Sequence, residues 1–241
     1  MAGLGTIINS VSIVAGGLTG RVAGGLFNAE QRDALSKTCG VSTLFIAIAG
    51  AMEGMLSVEN GALSGGKSML VVLCLALGAV IGELAGIERG FERFGEWLKR
   101  KTGNDGDRDF VNAFVTASLT VCIGAMAIVG AIRDGILNDY SVLAVKSVLD
   151  FIIIAVMTSS MGKGCVFSAI PVFLFEGSVT IFARLISPVM TETAVSYLSL
   201  IGSILIFCVG INLVWGKRIR VTNLLPSVVL AVLAAYLPMP A

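Results

Sequence analysis

Eight apolar runs dictate what this chain can fold into: about residues 4–25, 40–58, 68–88, 110–132, 140–161, 164–186, 194–215 and 221–238. A helix needs about 20 apolar residues to cross the hydrocarbon of a bilayer, so eight spans would use roughly 160 residues. Little is left of the 241 for a second, soluble domain. The expectation is therefore an all-α polytopic membrane protein, one transmembrane domain over residues 1–241, with seven or eight spans. The outermost runs are the weakest. The first is glycine-rich and carries Asn9, Ser10 and Ser12, and the last is short and ends in Pro238 and Pro240.

Composition narrows the chemistry. With 56% hydrophobic and 14% charged residues and a mean hydropathy of +0.91, the chain is no ordinary soluble enzyme. It contains no histidine, so imidazole cannot serve as metal ligand, proton shuttle or triad base. Cys39, Cys74, Cys122, Cys165 and Cys208 are scattered and show no close pairing, which reads as buried apolar packing. No metal or other cofactor is expected. A net charge of +1 gives no reason to expect a nucleic-acid partner. The N-terminus lacks a basic stretch before its apolar run, so it is not read as a cleaved signal peptide. Many of the 29 glycines stand four apart, as in Gly16/Gly20/Gly24 and Gly78/Gly82/Gly86/Gly90, a pattern that lets helix backbones approach closely in lipid.

Lysine and arginine orient the spans. With eight crossings and both termini outside, the inner connections hold Arg21, Arg32 and Lys37; Arg89, Arg93, Lys99, Arg100, Lys101 and Arg108; Lys163; and Lys217, Arg218 and Arg220. Only Lys67, Arg133, Lys146 and Arg184 fall elsewhere. If one weak run does not cross, the count is seven and one terminus moves inside. Two inner connections carry structure of their own. Asn28 and Gln31 form a capping-box pattern that opens a short helix to about Ser36. Residues 87–101 place Ile87, Phe91, Phe94, Trp97 and Leu98 at helical spacing among basic residues, an amphipathic helix for the inner interface. The Thr102–Asp107 stretch is a polar turn. Val80-Ile81-Gly82 aligns with Cys208-Val209-Gly210, a short hint of two parallel four-helix halves.

Gly61-Ala62-Leu63-Ser64-Gly65-Gly66-Lys67-Ser68 fits the phosphate-binding P-loop pattern. A working P-loop follows a buried strand and opens a soluble helix. Here the pattern opens an apolar membrane run on the outer side, so it reads as a Gly/Ser turn with one lysine, and no nucleotide is expected.

Ionisable residues inside spans cost about 2.5–3.5 kcal/mol each on insertion scales and seldom persist without a partner or a cavity. Four acidic residues qualify: Glu53 toward the outer side, Glu83 near the inner surface, and Asp150 and Glu176 near the midplane. Lys146 stands one helical turn before Asp150. The two read either as a neutralising ion pair or as a pair that opens when a proton or cation competes for the carboxylate. Glu176 has no base within a turn and must be protonated, hydrated or paired across helices. Asn9, Ser10, Ser12, Thr116, Ser118, Thr120 and Asn212 could line a pathway or simply bond backbone. Pro171 could break the sixth span and free carbonyls near Glu176.

Several stretches carry a family likeness: Gly5-Thr6-Ile7-Ile8-Asn9; Leu77-Gly78-Ala79-Val80-Ile81-Gly82-Glu83-Leu84 running into Gly95-Glu96-Trp97-Leu98-Lys99; and Phe114-Val115-Thr116-Ala117-Ser118-Leu119. Further along come Cys122-Ile123-Gly124-Ala125-Met126-Ala127-Ile128, Lys146-Ser147-Val148-Leu149-Asp150, Phe167-Ser168-Ala169-Ile170-Pro171-Val172 and Ile219-Arg220-Val221-Thr222-Asn223-Leu224-Leu225-Pro226. In this order the chain resembles the YqgA/YdfK-type family of bacterial inner-membrane proteins, a domain of unknown function. The resemblance implies a multi-pass inner-membrane protein and supplies no substrate. Against the family pattern, Ala125 stands where proline is common and Glu176 where an uncharged polar residue is common, which favours Asn9, Glu83, Lys146 and Asp150 as sites.

The leading functional expectation is a secondary transporter or channel for a small solute or ion, using midplane carboxylates, with Asn9, Glu83, Thr116, Thr120, Lys146, Asp150, Glu176 and Asn212 as pathway candidates. The alternative is a non-transporting scaffold or accessory subunit that docks partners through helix 87–101. An intramembrane enzyme is not expected. The partners are the lipid bilayer, a small ion or solute and, as an open option, further copies of the chain.

Overall fold

Backbone amides in an apolar run find no water in lipid, so they close their hydrogen bonds within the run as helix. The computed structural model describes residues 3–59, 62–122 and 125–237, and its helices follow the runs. In order they are α1 (Leu4–Gly24), α2 (Ala29–Met55), a hairpin of β1 (Leu56–Glu59) and β2 (Ala62–Gly65), α3 (Ser68–Ala85), α4 (Ile87–Lys101), α5 (Phe110–Cys122) and α6 (Ala125–Leu137). Then come α7 (Ser141–Met161), a 3₁₀ turn (Lys163–Ser168) leading into α8 (Ala169–Ile181), α9 (Ala183–Ile186), α10 (Glu192–Trp215), a 3₁₀ turn (Val221–Leu224) and α11 (Pro226–Ala234).

The chain is a polytopic, almost wholly helical membrane protein. Among the described residues, six helical units are long and apolar enough to cross: α1, α2, α3, α7, Lys163–Ile181 and α10. The α5–α6 pair makes a seventh if counted as one span. That fourth run is not one straight helix, because the axes of its halves differ by 62°. Ile123 and Gly124, between them, lie outside the described residues. The eighth run gives only a short helical stretch, Val221–Ala234, below spanning length; its Pro238 and Pro240 lie outside the described residues. The chain nonetheless returns to the far end of the bundle, where the Tyr236 hydroxyl donates to the Val189 carbonyl at 2.7 Å.

Other local expectations are revised. The capping box is present, with Asn28 Oδ1 accepting from Gln31 N–H at 2.8 Å and Gln31 Oε1 from Asn28 N–H at 3.0 Å. The helix it opens does not stop near Ser36 but runs unbroken to Met55. The second run ends at Met55, and Leu56–Glu59 pairs antiparallel with Ala62–Gly65. Pro171 breaks nothing: it is the third residue of α8, in the first turn, where the missing N–H would have no intrahelical partner anyway. The helix break near the middle of the bundle lies between α5 and α6 instead. The Gly78–Gly90 ladder is divided, because Gly86 at φ +62° turns the chain from α3 into α4.

Glycine sets the closest approaches. A Cβ on Gly16 or Gly20 would strike the backbone of Phe151 or Ala155, and one on Gly24 would press against Ser159. These partners advance by the same four residues and in the same direction, so α1 and α7 lie parallel with backbones touching. Gly40, Gly50 and Gly54 of α2 face Val214, Ser203 and Leu200 of α10 in reverse order, an antiparallel pair. Gly78 and Gly82 of α3 likewise face Ser227 and Asn223, antiparallel to α11. Lipid tails are as apolar as leucine, so association here rests on packing, and small residues maximise it. Overpacking a tight core costs about 1–3 kcal/mol, and at Gly20 the obstacle is backbone. Gly20→Leu should therefore lower the melting temperature in detergent more than the same change at Gly90, which has nothing within 4 Å.

Candidate functional site

The polar residues gather where α1, α5, α7 and α8 meet. On α7, Lys146 and Asp150 lie one turn apart, both buried and ion-paired. The same ammonium donates to the Val121 carbonyl at 2.8 Å. Val121 stands next to the last described residue of α5, and its carbonyl is turned to Lys146. Its third neighbour is Glu176 Oε1 on α8, 3.4 Å away. Asn9 of α1, fully buried, donates its side-chain N–H to that same oxygen at 2.9 Å. Glu176 thus has its base across helices. Asn9, Lys146, Asp150 and Glu176 form one cluster drawn from three helices, Asn9 and Glu176 being 167 residues apart in sequence, and Glu176 Oε2 and Asn9 Oδ1 are left without a hydrogen-bond partner.

Toward the hairpin end the polar column continues. Thr6 and Thr180, one turn from Asn9 and Glu176, approach hydroxyl to hydroxyl at 3.3 Å. Beyond them Asp134 of α6, wholly buried, accepts from Gly5 N–H at 2.9 Å and so caps α1, whose own N-cap glycine has no side chain to do so. Sequence reasoning missed Asp134 because it fell just beyond the run ending at residue 132. The signal was there: Ala127, Ala131 and Asp134 lie on one helical face, and all three are fully buried. The Val121 carbonyl was also missed, since a backbone acceptor inside an apolar run has no residue-type signature.

The other candidates lie elsewhere. Thr116 and Asn212 line a cavity of about 1060 Å³ at the α4 end of the bundle, which reaches down to Leu119 and is rimmed by Arg89, Arg93, Arg100, Arg108, Glu88, Glu92 and Glu96. Asn212 also holds the turn after α10: Nδ2–H donates to the Ile219 carbonyl and Oδ1 accepts from Arg218 and Ile219 N–H. The Thr120 hydroxyl returns to the Thr116 carbonyl on its own helix. Glu83 is half exposed and pairs with Arg220 at 3.2 Å, away from the cluster. Glu53 is exposed near the hairpin.

Helix α4 is fastened to the bundle rather than left free. Leu98 packs with Phe110 and Phe114 of α5, Phe94 joins them, and only Trp97 of this aromatic stripe is exposed. Its first turn is held by Glu88 N–H donating to Asn223 Oδ1 at 2.8 Å, and Lys217 reaches Glu88 at 2.5 Å and Glu92 at 2.8 Å. Burial works against the Lys217 charge, but these two carboxylates outweigh it and hold the ammonium above the ordinary lysine range. Lys67, the lysine of the P-loop-like pattern, takes φ +65°, donates to the Gly54 carbonyl at 2.9 Å and lies over the Tyr197 ring. It closes the end of α2. Gly61 of that pattern lies outside the described residues. Among the described residues no group of three His, Cys, Asp or Glu side chains is placed to hold a metal ion.

A bundle of apolar helices enclosing a buried charged cluster defines an integral membrane protein with intramembrane polar chemistry. The family model described as "Protein of unknown function (DUF554)" matches residues 4–236, and the chain belongs to that family. Its relatives include the "Uncharacterized membrane protein YdfK" of Bacillus subtilis (strain 168), 26% identical over 226 residues, 94% of this chain and 93% of that protein. The "Uncharacterized protein YqgA" of Escherichia coli (strain K12) is 25% identical over 232 residues, 95% of this chain and 94% of the relative. No solved structure matches the chain.

Breaking a buried ion pair by removing one partner costs about 3–5 kcal/mol, while replacing both can be nearly neutral. Lys146→Met should therefore melt well below the parent in detergent, and adding Asp150→Asn should restore much of the loss, as followed by circular dichroism. Equal melting of the single and double variants would remove the pair from the stability of the bundle.

Proposed function

We propose that this protein is a secondary transporter or channel for a small solute or ion, working in a bacterial inner membrane without enzymatic chemistry, nucleotide or cofactor. The observation that carries this reading is the Asn9–Lys146–Asp150–Glu176 cluster, buried beside the Val121 carbonyl of α5 in the middle of the bundle. Charges at that depth are expensive and are found chiefly where ions or substrates pass. Broken helices that turn free carbonyls on a polar site are a recurrent transporter device. The large cavity at the α4 end supplies an approach to the cluster from one side.

The basic residues concentrate at the α4 end, which supports a cytoplasmic position for that end. The parallel α1–α7 pair and the antiparallel α2–α10 and α3–α11 pairs suit alternating crossings with both ends of the described chain outside. Docking of a partner through α4 draws less support, because Phe94 and Leu98 are spent on α5.

Purified protein in liposomes should pass a small ion or metabolite above the level of protein-free vesicles, tested with and without a pH gradient. Asp150→Asn should bring the flux down to that background. Flux that Asp150→Asn and Glu176→Gln both leave unchanged would sink the cluster as the pathway.

A further inference from the structure

Glu176 and Asn9 share two deficits, one of charge and one of hydrogen bonding. Around Glu176, α7 presents Lys146 and Asp150, α5 presents Cys122 and the Val121 carbonyl, and α1 presents the Asn9 amide, with the Thr6 hydroxyl and then Asp134 of α6 lying beyond it. The ammonium is committed to Asp150 and to Val121, and Asp134 is committed to the amide end of α1. One cation therefore faces two carboxylates. Buried charge without a counter-charge is removed by neutralisation. The second deficit is geometric: Asn9 and Glu176 already share one hydrogen bond, yet each keeps a buried oxygen with no donor, Asn9 Oδ1 and Glu176 Oε2.

A single proton removes both deficits. Placed on Glu176 Oε2, it cancels the surplus charge and turns an orphan acceptor into an O–H donor. The acceptor it needs is the orphan Oδ1 of the side chain already bonded to the other carboxyl oxygen. Carboxylic acid and amide then close a ring of two hydrogen bonds, N–H to carbonyl one way and O–H to carbonyl the other. A metal cation does not fit as well, because Glu176 Oε1 is occupied by an amide N–H and stands 3.4 Å from an ammonium.

We propose that Glu176 holds a proton on Oε2, closed against Asn9 Oδ1, and that the proton is the ion to which this protein's transport is coupled. The coupling rests on the transport reading above; the bound proton does not. Loading makes the Oε2–H bond and the hydrogen bond to Asn9, and release returns the proton to water and leaves a carboxylate beside Lys146.

Infrared spectroscopy of the full chain in lipid at neutral pH reads the proton directly. A protonated-carboxyl C=O band that shifts in D₂O should be present, vanish in Glu176→Gln, weaken in Asp150→Asn, which frees the Lys146 charge for Glu176, and move in Asn9→Leu, which removes its acceptor. Glutamine reproduces both bonds of the ring, so Glu176→Gln should also melt close to the parent, while Glu176→Leu should melt lower. Absence of the band, its survival in Glu176→Gln, or a Glu176→Gln variant as unstable as Glu176→Leu would overturn the bound proton. A Glu176 band alongside liposome flux indifferent to a pH gradient would overturn the coupling alone, whereas no flux of any kind would overturn the transport reading and leave the band to be judged by itself.

Discussion

The backbone contact between α1 and α7 is the constraint on which the site depends. Gly16, Gly20 and Gly24 bring the two helices together along three successive turns, in register with Phe151, Ala155 and Ser159. With the helices parallel and that close, Asn9 of α1 comes level with the Lys146–Asp150 turn of α7, and α8 completes the enclosure with Glu176. A larger residue anywhere on the ladder would force the helices apart, and an amide and an ammonium that meet one oxygen at 2.9 and 3.4 Å would no longer both reach it. In lipid, where no hydrophobic gain drives helix onto helix, this stripe is the chain's means of fixing polar groups to within hydrogen-bond tolerance.

The second requirement is a backbone acceptor for the lysine. An ammonium in the bundle needs several acceptors, and one carboxylate cannot satisfy all three of its protons. Val121, beside the 62° change of direction between α5 and α6, supplies one with its carbonyl. Asp134 makes the mirror-image match at the N-terminus of α1, a carboxylate set against unbonded amides.

The sequence made the helical membrane architecture legible because apolar length is a one-dimensional property, read without knowing any contact. The α4 helix was equally legible, its basic and apolar residues sorting onto two faces within 15 positions. The Lys146–Asp150 pair could be read because i and i+4 meet on any helix. What joins Glu176 to Asn9 and Lys146 could not, because that depends on which helices are neighbours and in which direction they run. Nor could the bend after α5, where no proline marks the change of direction, while Pro171, which suggests a break, falls in a first turn and causes none. Asn212 shows the converse error: a buried-looking amide in an apolar run is occupied by three backbone bonds of its own turn.

Helix α5 connects the cavity to the cluster. Its Thr116 and Leu119 line the cavity, and its Val121 carbonyl holds Lys146. At 1.5 Å of rise per residue, about 3 Å of helix separates Leu119 from Val121. Both side chains are buried among apolar neighbours, so an apolar layer about half a helical turn thick lies between cavity and charge on this side. On the other side the cluster meets the Thr6–Thr180 hydroxyls and then the Asp134 carboxylate, polar groups that are themselves buried. The two approaches therefore differ in kind. One is wide, open to the basic end and stopped by hydrocarbon; the other is narrow, lined by groups that exchange hydrogen bonds and closed by the start of α1. The cluster thus has unlike barriers on its two faces, an apolar layer carried by α5 on one and the polar start of α1 on the other.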